Sequence, residues 1–205
     1  MDDEIGDEPS RAGEELATWQ RALKGNGAAF AALFRQHQPR VYRRALSLVG
    51  GTHDAEDVTA LSFFELWRKR RAVRVVDGTV LPWLLVTTVN LSRNHSRGDR
   101  RYRHLVASLP HGEAPNAETV AVHNIETTLL GVRLNEAIAR LGAVDAALLV
   151  LTALDGLSVV EAAAAVGLKP GAARMRLSRV RQRLQPQFVA ERHPNSQFIH
   201  EGEHA

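Results

Sequence analysis

The 205-residue chain contains no cysteine. That excludes disulfides, thiolate zinc sites, iron–sulfur clusters and cysteine nucleophiles, and it fits a reducing compartment. Long apolar runs are missing too: the longest uncharged one, Ala146 to Leu154, is under half of the roughly 20 residues that a membrane-spanning helix needs. The first residues, Asp2, Asp3 and Glu4, are the opposite of the basic start of a signal peptide. A convincing period-2 strand pattern is absent, as is an internal repeat of solenoid length. These absences predict a globular, soluble, all-α protein of the cytoplasm. With 44% apolar and 24% charged residues, it has room for one large domain or two small ones.

Charge is unevenly spread. Residues 1–15 carry seven acids against Arg11 alone, an arm of net charge −6, while positions 16–205 carry 25 basic and 16 acidic residues, a body of +9. Most of the basic residues are arginine, which grips phosphate bidentately. A polyanionic partner is the first expectation.

The arm 1–15 mixes acids with Gly6, Pro9, Ser10 and Gly13, shows no apolar period and reads as disordered. Helical spacing begins near Leu16 with Trp19 and Leu23, and continues after Gly25-Asn26-Gly27 through Phe30, Leu33, Phe34, Val41, Ala45 and Leu48. Pro39 should kink or divide that helix. After Gly50-Gly51, Thr52 or Asp54 can cap a third helix reaching about Arg70, with Val58, Leu61, Phe64 and Trp67 at helical spacing. A fourth starts around Pro82, is apolar through Trp83, Leu84, Val86 and Val89, then turns basic through Arg93, Arg97, Arg100, Arg101 and Arg103. Residues 104–122, with Pro110, Gly112 and Pro115, read as an interdomain linker. A second helical unit covers 123–186, with Leu130, Leu134, Ile138 and Leu141 in one stripe. Pro186 ends its last helix before a polar tail, 187–205.

The most informative segment lies in that second unit. Ser158 and Glu161 form a Ser-x-x-Glu capping box opening a helix of alanine and valine, Val159 to Val166. Gly167 supplies a left-handed turn, Leu168 a plug for the core, and Pro170 the start of a second helix reaching about Gln185. This is a helix-turn-helix pattern. Leu177, Val180 and Leu184 face inward at i, i+3 and i+7, leaving Arg174, Arg176, Arg179, Arg181 and Arg183 outside, with no acid between Pro170 and Gln185. Early residues of such a helix reach base edges in the major groove, where arginine bridges guanine O6 and N7, and later ones meet phosphates. Arg174 and Arg176 are therefore the expected base readers.

Residues 148–163, with Asp155-Gly156-Leu157-Ser158, followed by Gly167-Leu168-Lys169-Pro170-Gly171 and Arg174-Met175-Arg176-Leu177-Ser178-Arg179, closely resemble region four of the extracytoplasmic-function sigma factors of bacterial RNA polymerase. The first unit resembles region two, through Phe30, Leu33, Val41 and Tyr42, Ala55-Glu56-Asp57-Val58 with Phe63 and Trp67, and Trp83-Leu84 with Asn90 and the arginines after it. The likeness covers about residues 16–186. It implies two small helical domains, at 16–103 and 123–186, joined by the flexible linker, and a promoter-specificity subunit rather than an enzyme. In this resemblance the first domain docks on the clamp helices of the largest polymerase subunit through Asp54, Asp57, Phe64 and Trp67. It captures the non-template strand of the minus-ten element with Trp83, Asn90, Arg93, Asn94, Arg97, Arg100 and Arg101. The second domain would engage the polymerase flap and read the minus-thirty-five duplex with Lys169, Arg174, Met175, Arg176, Ser178 and Arg179. An anti-sigma factor covering these faces is a further implied partner.

Capturing a melted strand needs apolar or aromatic surface beside cations, which the segment from Trp83 to Arg103 provides. Trp83 also suits a core position, as do Phe64 and Trp67. The acids Asp54, Glu56 and Asp57 favour a helix N-terminus and have no histidine or cysteine at ligand spacing. No catalytic residue, metal or cofactor is assigned, and the tail histidines lack a regular spacing. Where the family often has glutamine and an acid in the docking helix, this chain has Ala60 and Leu61. Its recognition helix opens Gly171-Ala172-Ala173 rather than Gly-Thr-Val and has Met175 where serine is common, which implies altered promoter preference. The competing reading is a free-standing helix-turn-helix regulator that binds operator DNA as a dimer. A sensory first domain has no use for a second arginine-rich helix, and that feature separates the two readings.

Overall fold

The computed structural model describes residues 11–107 and 125–189. Among them the chain is helical: α1 (Arg11–Leu23), α2 (Gly27–Val49), α3 (Thr52–Arg68), a single 3-10 turn (Arg70–Ala72), α4 (Leu81–Ala107), α5 (Ile125–Arg140), α6 (Ala143–Ala153), α7 (Val159–Val166) and α8 (Pro170–Val189). The one extended pairing is a bridge in which Val76 and Thr79 exchange backbone hydrogen bonds of 3.1 Å around Asp77-Gly78. Both turn residues have positive φ, 48° and 76°, the tight hairpin geometry that Asp-Gly favours.

Several boundaries differ from the periodicity. Helix α1 begins at Arg11, so residues 11–15 leave the predicted acidic arm, and residues 1–10 lie outside the described part. Gly51, with no side-chain cap, is the N-cap of α3 in place of Thr52 or Asp54. Helix α2 runs unbroken through Pro39, because Leu33 and His37 before it and Val41, Ala45 and Leu48 after it are all buried on one face. That shared burial outweighs the roughly 3 kcal/mol that an interior proline costs. Helix α4 continues to Ala107, four residues into the predicted linker, whose remainder lies outside the described residues. Helix α8 passes Pro186 and ends one turn later. The proline removes only one backbone hydrogen bond from a helix already established.

The inward face of α3 is also rotated from the predicted stripe. Ala55, Val58, Thr59, Ser62, Phe63 and Leu66 are buried, whereas Leu61 and Phe64 are exposed. A strict i+3 repeat turns only 300° per step, so Val58, Leu61, Phe64 and Trp67 walk around the helix instead of marking one side. The buried hydroxyls find local partners. Thr59 donates to the Ala55 carbonyl at 2.7 Å, Ser62 to the Val58 carbonyl at 2.8 Å, and Ser62 and Thr88 pair across α3 and α4 at 3.1 Å.

Helices α1 to α4 enclose a first core of Trp19, Ala22, Leu33, Val41, Phe63, Leu66, Val80 and Leu84. A second core joins Leu85 of α4 to Leu148 and Leu151 of α6, Ala162 and Ala163 of α7, and Ala173 and Leu177 of α8. A third joins Leu48 of α2 and Val89 of α4 to Ile138, Leu141, Ala146, Val150 and Val180. Helix α4 thus contributes to all three, and the helix-turn-helix half packs directly on it.

Helix α1 is tied down by a carboxylate that the sequence reading left in the acidic arm. Glu15 is 6% exposed. It accepts from Gln36 at 2.8 Å, the Thr79 hydroxyl at 2.7 Å and the Val80 N–H at 2.8 Å, and lies 2.9 Å from His37 Nε2. Beside this knot Gly78, at φ 76°, brings the hairpin against α1. A Cβ there would stand 2.7 Å from the Ala12 carbonyl oxygen. Gly78→Ala is therefore expected to lower stability by about 2 kcal/mol, read as a shift of the urea midpoint with the slope unchanged.

Candidate nucleic-acid interface

The helix-turn-helix is built as its residues dictate. Ser158 Oγ accepts from the Glu161 N–H at 3.2 Å while the Ser158 N–H donates to Glu161 Oε2 at 2.7 Å, a closed capping box. Those bonds to Ser158 hold the Glu161 carboxyl below its ordinary value. Gly167, at φ 77°, ends α7, and the Leu168 N–H returns to the Ala163 carbonyl at 2.8 Å. The alanines of α7 allow α8 to approach closely, and Ala173, Leu177 and Val180 are buried between the helices. This fixes the rotation of α8. Lys169, just before the helix, and Arg174, Met175, Arg176, Ser178 and Arg179 on it are all exposed, with Met175 at 60%. Arg176 is held by Asp145 at 2.8 Å, whereas Arg174 and Arg179 meet no carboxylate among the described residues.

The residues expected on the minus-ten side divide. Asn94 and Arg101 are exposed, and Trp83 is half-buried against the first core. Asn90 is half-buried with its Oδ1 atom unpartnered. Arg100 lies within α4, its side chain outside the described residues. Arg93 departs from the expectation, and Arg97, although exposed, is tied to the same place. Arg93 is 4% exposed and donates to the Ile138 carbonyl at 3.3 Å and to the Leu141 carbonyl. Arg97 reaches the Ala139 carbonyl at 3.3 Å and the Leu141 carbonyl at 3.4 Å. Both guanidiniums sit on the carbonyl end of α5, where the helix dipole favours a cation. Burial, reinforced by the Arg97 charge, pushes the Arg93 guanidinium below its ordinary value. In this arrangement Arg93 is withdrawn from nucleic acid, whereas Arg97 remains an exposed residue.

The four residues expected at the polymerase also separate. Phe64 is 58% exposed rather than core, and it shares its surface with Leu61 at 49% and Phe34 at 39%. Leu61, placed by the sequence reading on an inward stripe, is the residue missed there, and the i+3 drift of α3 would have revealed it. Asp57 is exposed beside them, and Asp54 lies 3.2 Å from His95. Trp67 is half-buried, edge-on to Phe30 at 5.1 Å with the Arg70 guanidinium 4.4 Å above its ring. Next to this apolar strip Phe34, Gln38, Tyr42, Glu56, Thr59 and Ala60 line a shallow cleft of about 260 Å³ between α2 and α3. Glu65, clamped by Arg68 at 2.7 Å and Lys69 at 3.0 Å, has its carboxyl lowered to about 2 by those two cations.

Comparison with known proteins gives this arrangement its family. Residues 33–102 match sigma-70 region 2 and residues 131–184 match sigma-70 region 4. The ECF RNA polymerase sigma factor SigE of Mycolicibacterium smegmatis is 35% identical over 187 residues, covering 88% of this chain and 68% of its own. The chain belongs to the extracytoplasmic-function RNA polymerase sigma factors. The RNA polymerase sigma factor CarQ of Myxococcus xanthus is a further relative, 30% identical over 166 residues, covering 80% of this sigma factor and 92% of CarQ. The fold is similar to that of CnrH, solved in complex with the cytosolic domain of CnrY, with a TM-score of 0.55 at 22% identity, covering 86% of this chain and 98% of that one. Membership of the family makes this a transcription-initiation protein and points away from enzymatic chemistry. Among the described residues no group of histidines and acids could hold a metal ion, and no helix is long and apolar enough to cross a membrane.

Proposed function

We propose that this sigma factor docks on the clamp helices of the largest subunit of core polymerase through the outer face of α3. The carrying observation is the apolar strip that Phe34 of α2 forms with Leu61 and Phe64 of α3, exposed by 39–58% while the opposite side of α3 is packed. Large apolar side chains grouped on a surface mark an interaction site, and Asp57 supplies a charged rim. The promoter is then read in two places. The C-terminal half of α4 takes the non-template strand of the minus-ten element, with Asn90, Asn94, Arg97, Arg101 and, once uncovered, Arg93. Helix α8 takes the minus-thirty-five duplex, with Arg174 at base edges and Lys169, Arg176, Ser178 and Arg179 on phosphates. Its half also meets the polymerase flap. The residue ranges 16–103, extended by the start of α1 at 11–15, and 123–186 serve as the two functional domains, joined by 104–122, with 1–10 and 187–205 outside them. An anti-sigma factor that covers these faces would silence the protein.

The deciding experiment is capture of purified bacterial core polymerase, followed by transcription in vitro from a genomic fragment library. The expected result is stoichiometric binding with new start sites that depend on the chain. The paired exchange Leu61→Ala with Phe64→Ala should weaken core binding by about tenfold to a hundredfold while leaving the thermal midpoint nearly unchanged, since both side chains are exposed. Arg174→Ala should leave core binding intact and relax preference at one base pair of the minus-thirty-five element, by about 1–3 kcal/mol. Unaltered core binding by the first variant would remove the α3 face from the proposal.

A further inference from the structure

A strip of unpaired cations runs from the start of α1 to the recognition helix. Gly78 packs so closely on Ala12 that a Cβ on it would stand 2.7 Å from the Ala12 carbonyl oxygen. Four residues before Gly78, the Arg74 guanidinium donates to the Ala164 carbonyl at 3.1 Å and lies against Gly167, the glycine that ends α7. Lys169 follows two residues later, and Arg174 sits early on α8. Arg71, Arg74, Lys169 and Arg174 are exposed, and none of them meets a carboxylate among the described residues. Asp77, exposed on the turn, offsets one of these charges. The strip thus begins beside the point where residues 1–10 join the fold and ends on the surface proposed for duplex DNA.

We propose, resting on the promoter-reading role of α8 given above, that residues 1–10 dock on this strip as an internal rival of DNA. That segment carries Asp2, Asp3, Glu4, Asp7 and Glu8 and no basic residue, a charge of −5 against +8 for residues 11–205. It is long enough. Ten extended residues reach roughly 33 Å, whereas the four from Gly78 back to Arg74 span at most about 14 Å and the two from Gly167 to Lys169 at most about 7 Å. A carboxylate offers arginine the same pair of oxygens that a phosphate does. Tethering holds the segment at an effective concentration of about 1 mM. A contact with an intrinsic Kd of only about 0.1 mM therefore covers the strip in most molecules and lowers the apparent affinity for DNA about tenfold.

The chain has three lysines, Lys24, Lys69 and Lys169, which makes carbodiimide coupling of carboxylates to amines simple to read by peptide mass mapping. The expected product joins residues 1–10 to Lys169, and it is lost at about 1 M salt, where charges are screened beyond roughly 3 Å. Lys24, at the far end of α1 and about 20 Å from Ala12, is within reach and serves as the internal control. Equal linking to Lys24, linking to Lys69 instead, or no link overturns the docking. Exchange of the five acids for Asn and Gln is expected to raise the affinity of the full chain for a duplex of random sequence about tenfold at about 50 mM salt. Arg74→Gln should raise it about threefold in the unaltered chain, by removing an anchor of the segment, but not in the chain with the acids exchanged. An effect only of net charge predicts the opposite sign, and weaker binding by Arg74→Gln in both chains overturns the proposal. Linking to Lys169 with no binding of duplex by any of these chains would instead overturn the role of α8 while leaving the docking in place.

Discussion

Leu148→Ala is expected to lower the unfolding free energy by about 4 kcal/mol, near the upper part of the range for buried leucine truncations. Leu148 is completely buried, and its neighbours in the second core include Ala147, Ala162, Ala163 and Ala173. Alanine has no rotamer with which to move into a vacated space, and the capping box and the Gly167 turn fix the separation of α7 and α8, so the cavity persists. Urea unfolding monitored by helix signal reads the effect directly. Leu154→Ala removes the same atoms from a residue 43% exposed and should cost under about 1 kcal/mol. Similar losses from both variants would mean that the second core is loosely packed.

Glu15→Ala is the other large effect, expected at about 3 kcal/mol. It strands the Val80 N–H, the Thr79 hydroxyl and the buried His37 ring without their acceptor, and unpaired buried polar groups are more costly than the bonds they formed. The pH dependence has a definite sign. Burial raises the Glu15 carboxyl, but the bonds from His37, Thr79 and Val80 and the attraction of His37 outweigh it, and the net shift is downward from 4.5. On acidification the unfolded chain therefore takes up the proton first. The stabilisation from the carboxylate is complete above about pH 4.5 and fades as pH falls through the lower folded value. Thermal melts should show Glu15→Gln well below the unaltered chain at pH 7, with the gap narrowing below pH 4. A gap that stays constant would mean that the carboxylate charge contributes nothing.

The helix-turn-helix was legible because every signal that builds it is local. Capping box, turn glycine, N1 proline and an acid-free outer face lie within 28 residues, Ser158 to Gln185, and the structure reproduces the cap, the turn and the inward stripe. The first half was legible in its elements but less so in its faces. A run of i+3 steps on α3 hid the exposure of Leu61 and Phe64, and Glu15 looked like one acid among seven although it sits four residues before buried Trp19 on the same helical side. The fate of Arg93 and Arg97 was out of reach for a different reason. Their partners, the carbonyls of residues 138, 139 and 141, are backbone atoms more than 40 residues away, which no side-chain pattern announces.

Helix α4 is 27 residues long, and its different faces are built into different cores, Leu84 in the first, Leu85 in the second and Val89 in the third. No helical layer can melt while its neighbour keeps a complete interior, because each interior is missing a wall without the same rod. Heat unfolding of the free chain is then a single cooperative transition, with calorimetric and van't Hoff enthalpies in agreement, although the sequence carries two family regions. In the closed free chain the two family regions are expected to melt together as one thermodynamic unit.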